Sequence, residues 1–162
     1  MITNHDLAAT LAAILSALDG AAHRWWILGS AAVALHGGDP GEIGDVDVLI
    51  DRRDAEAVFA SLGLALAAGE GTALFRSALF ASWNEPPIPV ELFAGFELCE
   101  GGCWSEIVPA TRVAVETGFG PAYVPDRAEL AAILRRFGRP KDQRRIAALS
   151  RISPSPSRSG SA

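Results

Sequence analysis

The sequence predicts a single domain of mixed α and β structure, of the α+β or α/β class, with its strands gathered in the middle of the chain. Three observations predict it. Apolar residues recur at helical spacing near both ends, short β-branched and aromatic runs lie between them, and glycine or proline separates nearly every run. The length of 162 residues, 49% of them hydrophobic and 20% charged, matches one soluble domain able to bury a core without metal or disulfide staples.

In chain order, Leu7, Leu11, Ile14, Leu15 and Leu18 share one helical face that Gly20 closes. The run RWWIL at 24–28 reads as a buried strand ending at Gly29, and Ser30 as the cap of an alanine-rich helix that stops near Gly37 and Gly38. Residues 39–44 are loop chemistry. Residues 45–51 read as a second strand and 54–62 as a helix. Strands follow at 64–67, 74–83 and 88–93, and a late hairpin pairs 112–116 with 122–124 around Gly118 and Gly120. Asp126 opens a helix carrying Leu130, Ile133, Leu134 and Phe137 on one face; Gly138 ends it, and Pro140 sits in the first turn of a last helix to about Ser150. One domain over 1–150 is expected, followed by a Ser/Pro-rich tail, 151–162, that cannot pack.

Net charge is −5, from 14 basic and 19 acidic residues, which argues against a partner of long nucleic acid. The apolar run 7–18 is too short to span a bilayer and lacks the positive flank of an export signal, so a cytoplasmic protein with no membrane partner is expected. Cys99 and Cys103, in CEGGC, cannot complete a four-ligand zinc site and read as free thiols.

The chemistry concentrates in GDVDVLI, 44–50. Residues two apart on a strand share a face, so Asp45 and Asp47 point together while Val46, Val48 and Ile50 point to the core. Neighbouring carboxylates repel and raise each other's pKa, a cost that a hard cation such as Mg2+ relieves. Glu91 interrupts the apolar run IPVELF, 88–93, where an acid has no packing reason to stand. If its strand lies beside the first, three carboxylates converge and can hold one or two divalent ions for phosphoryl or nucleotidyl transfer. Gly29 and Ser30, between a strand and a helix, offer close backbone approach and a hydroxyl to a phosphate.

In this order the segments ILGS (27–30), AVALHG (32–37) and DVDVLID (45–51) resemble the nucleotidyltransferase superfamily with the DNA polymerase beta-like catalytic fold. They look closest to a compact bacterial branch that includes abortive-infection-type toxins and small antibiotic-modifying members. The late PKDQRRIAAL (140–149) resembles that branch's Lys-Asp helix. The resemblance implies a central mixed sheet flanked by helices, with Gly29, Ser30 and Lys141 holding a nucleoside triphosphate. It also implies that Asp45, Asp47 and Glu91 are the catalytic metal ligands, and that a nucleoside monophosphate passes to a hydroxyl on a small molecule, protein or RNA end. The alternative it leaves is a catalytically weak domain that binds nucleotide or a partner protein, as in a toxin–antitoxin pair; a homodimer is also open. The loop before Asp45, GEIG at 41–44, lacks the cation common in that branch, and Arg144 and Arg145 stand where a second acid is usual. Arg76, Arg136, Arg139 and Arg144 are candidate substitutes for that cation. The pairs Arg135–Arg136 and Arg144–Arg145 read as solvated helix faces, and Trp83 and Trp104 as possible walls of an acceptor pocket.

Overall fold

A computed structural model describes residues 4–153. Its elements run α1 (His5–Ala17), β1 (Trp26–Leu28), α2 (Gly29–Leu35), β2 (Val46–Leu49), α3 (Arg52–Ser61), β3 (Phe75–Trp83), β4 (Val90–Glu100), β5 (Cys103–Glu106), β6 (Val113–Glu116), β7 (Pro121–Val124), α4 (Arg127–Phe137) and α5 (Pro140–Ser150). The main sheet has the order β1-β2-β4-β3, with β5 also on β4. β1 and β2 are antiparallel, β2 and β4 parallel, and β4 antiparallel to both β3 and β5. β6 and β7 form a separate hairpin.

The core joins α1 (Leu7, Leu11, Ile14), the sheet (Ile27, Val46, Val48, Leu92) and α3 and α4 (Phe59, Leu130, Leu134), all buried. Burying such side chains contributes about 1.5–3 kcal/mol each. Polar groups inside are paired. Thr10 on α1 donates to the Asp6 carbonyl at 2.7 Å and accepts from the Ile88 amide at 3.0 Å, tying the helix to the approach of β4. Trp25 and Trp26 both turn inward. The Trp25 ring meets Tyr123 edge-on at 5.3 Å, and the Trp26 indole N–H donates to the Thr111 carbonyl at 2.9 Å.

Several expectations need correction. Residues 64–67 form no strand; the Ala67 carbonyl accepts a single bond from the Phe80 amide, at 2.9 Å, so the segment lies along β3 as a loop. Ser30 does not cap α2. The helix starts one residue earlier, at Gly29, without a side-chain cap, because a left-handed Gly29 (φ 64°) turns the chain straight out of β1. The run beginning at Ile88 extends to Glu100 and turns through Gly101 and Gly102 into β5, so CEGGC is a tight hairpin. Its cysteines are free as expected; Cys99 lies opposite Trp104 and Cys103 opposite Glu100, so the two thiols point to opposite faces. Ile152 still packs on the core, and residues 154–162 of the expected tail lie outside the described residues.

Candidate active site

The parallel pairing of β2 with β4 sets Asp47 directly opposite Glu91. Asp45, one step before β2, turns to the same side, and oxygens of all three carboxylates come within 4.8 Å of one another. They stand at one end of a cleft of about 640 Å³. Asp47 is crowded by protein on most sides yet opens to the cleft. Its carboxyl is pushed up to about 8, by burial first, then by the charges of Asp45 and Glu91 and by a hydrogen bond to Glu91, with Arg145 pulling the other way. Glu91 is also raised, by burial and then by Asp45, partly offset by its hydrogen bond to Asp47 and by Lys141. Three clustered acids with hard oxygen donors and too few internal positive charges fit a divalent cation.

Gly29 is held to this site by sterics. A Cβ there would lie 2.7 Å from an Asp47 carboxylate oxygen, and the backbone is left-handed (φ 64°), so glycine is what leaves room for the Asp47 carboxylate. Gly29 lines the cleft, whereas the Ser30 side chain is buried in α2 and does not.

Positive charge arrives from the other side. Lys141 and Arg145 of α5 line the cleft together with Arg139, from the link between α4 and α5, and Arg76 of β3. Asp142 organises two of them. Fully buried, it accepts from the Arg139 backbone N–H at 3.1 Å and from the Arg139 Nε at 2.7 Å, and it pairs with the Arg145 guanidinium at 3.4 Å. Arg139 also stacks over the rings of Phe75 and Phe137, at 4.9 and 5.6 Å. Arg145 is therefore no solvated helix residue: its side chain is only 14% exposed. Its signal was the lysine–aspartate pair itself, since an acid at the third helical position can hold a base three residues further on. Of the other candidate cations, Arg136 is engaged by Glu100, and Arg144 borders a different depression, beside Gly37 and Arg151.

The remaining candidates fall elsewhere. Trp83 is buried and faces a depression between α1 and α3, and Trp104 stacks under Arg76 at 4.2 Å without lining the cleft. The His36 imidazole bonds the Pro125 carbonyl at 2.8 Å and stays outside the site.

Comparison with known proteins agrees with this architecture. A family model for aminoglycoside-2''-adenylyltransferases matches residues 10–73. The chain superposes on a candidate nucleotidyltransferase from Thermotoga maritima with a TM-score of 0.70 and 22% identity, over 91% of this chain and 93% of that one. A lincosamide antibiotic adenylyltransferase with bound lincomycin gives a TM-score of 0.60 at 13% identity, over 94% and 99% of the two chains. ANT(2'')-Ia in complex with adenylyl-2''-tobramycin gives 0.54 at 13%, over 88% and 86%. Among curated protein sequences none matches. The chain has the nucleotidyltransferase fold. That fold runs across most of its length, and residues 10–73 match the family model.

Among the described residues no helix is long and apolar enough to cross a membrane.

Proposed function

We propose that the protein transfers a nucleoside monophosphate from a nucleoside triphosphate to a hydroxyl group and releases pyrophosphate. The observation that supports it most is the register of Asp47 on Glu91, with Asp45 beside them, across a cleft from Lys141 and Arg145. Asp45, Asp47 and Glu91 would hold Mg2+, which when bound neutralises the triphosphate and polarises the reacting oxygens. Gly29 at the start of α2 and Lys141 take the phosphates, and Arg145 adds charge against the developing negative oxygens. The acceptor oxygen forms a bond to the α-phosphorus, the bond from that phosphorus to the bridging oxygen breaks, and the pyrophosphate carries the electron pair away. Glu91 accepts the hydroxyl proton. The adenylyl-tobramycin and lincomycin complexes of the neighbours favour ATP as donor and a small molecule as acceptor.

Calorimetry with each nucleoside triphosphate and Mg2+ tests this reading on the wild type and on an Asp45→Ala/Asp47→Ala variant. Binding that requires both the metal and the aspartates, followed by pyrophosphate release with an acceptor, is the expected result. Binding without turnover against any hydroxyl compound would favour a nucleotide-binding domain; no binding by folded protein would end the proposal.

A further inference from the structure

The half of the cleft beyond the carboxylates is aromatic. Five of the seven phenylalanines in the chain line it: Phe75, Phe80, Phe93, Phe96 and Phe137. Strand alternation alone would send Phe93 and Phe96 to opposite faces. Gly95 prevents this. With φ 62° it reverses the alternation, so that Phe93 and Phe96 turn to the same side with ring centroids 5.0 Å apart. The kink passes into β3 through the pairing, where Phe80 lies opposite Phe93 and Ser77 opposite Phe96. Phe137 closes the far end, edge-on to Phe75 at 4.8 Å. Phe75 and Phe80 are half-buried and line the cleft, so each keeps only part of its surface open to a ligand.

Sheet order assigns this surface. In β1-β2-β4-β3 the phosphate-side Gly29 follows β1, the carboxylates occupy β2 and β4, and the phenylalanine floor spans β4 and β3. Gly29 and the floor therefore lie on opposite sides of the carboxylates, and Phe93 is two residues, about 7 Å, along the strand from Glu91. The cations near the floor are already committed: Arg139 to Asp142 and the Phe75 and Phe137 rings, Arg76 to Glu97 and Trp104.

Building on the proposed transfer reaction, we infer that the acceptor is a neutral hydroxy compound with a flat or apolar ring body, which lies on Phe75 and Phe80 and presents its hydroxyl to Glu91. A polycationic amino sugar would meet a single carboxylate, Glu70, beyond the three of the site.

The test is ligand-detected NMR without nucleotide or metal, using phenyl β-D-glucoside, methyl β-D-glucoside and tobramycin on the wild type and on Phe80→Ala and Phe75→Leu variants. The phenyl compound is expected to bind roughly tenfold more tightly than the methyl one, and each folded variant to lose most of that difference. Equal affinity of the two glucosides, no binding of the phenyl compound at millimolar concentration, or preferred binding of tobramycin overturns the inference. The wild-type comparison decides even if a variant fails to fold. A pyrophosphate-release assay with ATP and Mg2+ on the same compounds separates the two claims. Transfer to tobramycin alone sinks the aromatic acceptor and keeps the transferase. Aromatic binding lost in the variants, with no transfer to any hydroxyl compound, overturns the transferase and the acceptor role with it, and leaves a cleft that binds an aromatic ring.

Discussion

Asp142 and Asp47 are both acids set deep in the protein, and their surroundings are opposite. Asp142 is wholly enclosed and receives N–H donors from Arg139 and Arg145, so its charge is satisfied inside the fold. Asp54 repeats that solution, accepting from the Ala22 and His23 amides at 3.1 and 2.9 Å. Asp47 has two other acids as its nearest polar company, and its carboxyl rises to about 8 because burial and those charges disfavour ionisation. The difference separates an acid whose charge is met inside the fold from one whose charge the fold leaves unmet. A buried carboxylate supplied with donors is satisfied within the fold; one set beside other carboxylates at the wall of a cleft fits a cation.

Removing each side of this contrast gives effects of opposite sign. Asp142→Ala leaves Arg139 and Arg145 without their anchor and is expected to cost about 3–5 kcal/mol, a fall in Tm of roughly 10 °C by calorimetry. Lys141→Ala should leave Tm nearly unchanged while weakening triphosphate binding about 10- to 100-fold, as loss of one charge-assisted hydrogen bond implies. If Lys141→Ala instead unfolds the protein, the lysine belongs with Asp142 and not with the site. Gly29→Ala places a methyl group 2.7 Å from the Asp47 oxygen in a left-handed conformation; we expect about 1–3 kcal/mol of destabilisation together with weaker Mg2+ binding by titration.

The smallest effect concerns Asp47 itself. Its folded pKa is raised from 3.8 to about 8, so the folded state holds the extra proton. The resulting stability is complete below the unfolded value and is lost as pH rises through about 8. Without divalent metal, Tm should therefore decline from pH 6 to 9, and Asp47→Asn should flatten that slope and gain about 1 kcal/mol at the alkaline end. Mg2+ replaces the proton, so its stabilising increment should grow over the same range in the wild type and vanish in the variant. An increment independent of pH would show that the cation binds elsewhere.

Much of this was legible in the residues. Capping by Asp126 and Gly138 bounds α4, Pro140 opens α5, and the alternation of DVDVLI puts two aspartates on one face of a strand. These are local effects of backbone geometry and solvation that operate within a few residues of chain. The Ser30 cap failed because a left-handed glycine let the helix begin directly from the strand. The strand at 64–67 failed because β3, as the edge of the sheet, receives only one bond from it.

By itself, the sequence determined most of the elements, the acidic strand and the types of residue that suit a phosphate and a metal. Only the tertiary structure decided that β4 lies parallel to β2 in the register that joins Glu91 to Asp47, that Arg145 turns inward on Asp142, and that five phenylalanines line one cleft. The reason is one of range. Propensity, capping and alternation act along the chain, whereas register, buried charge pairing and the face of a sheet depend on segments far apart in sequence, whose contacts exist only once the core has closed.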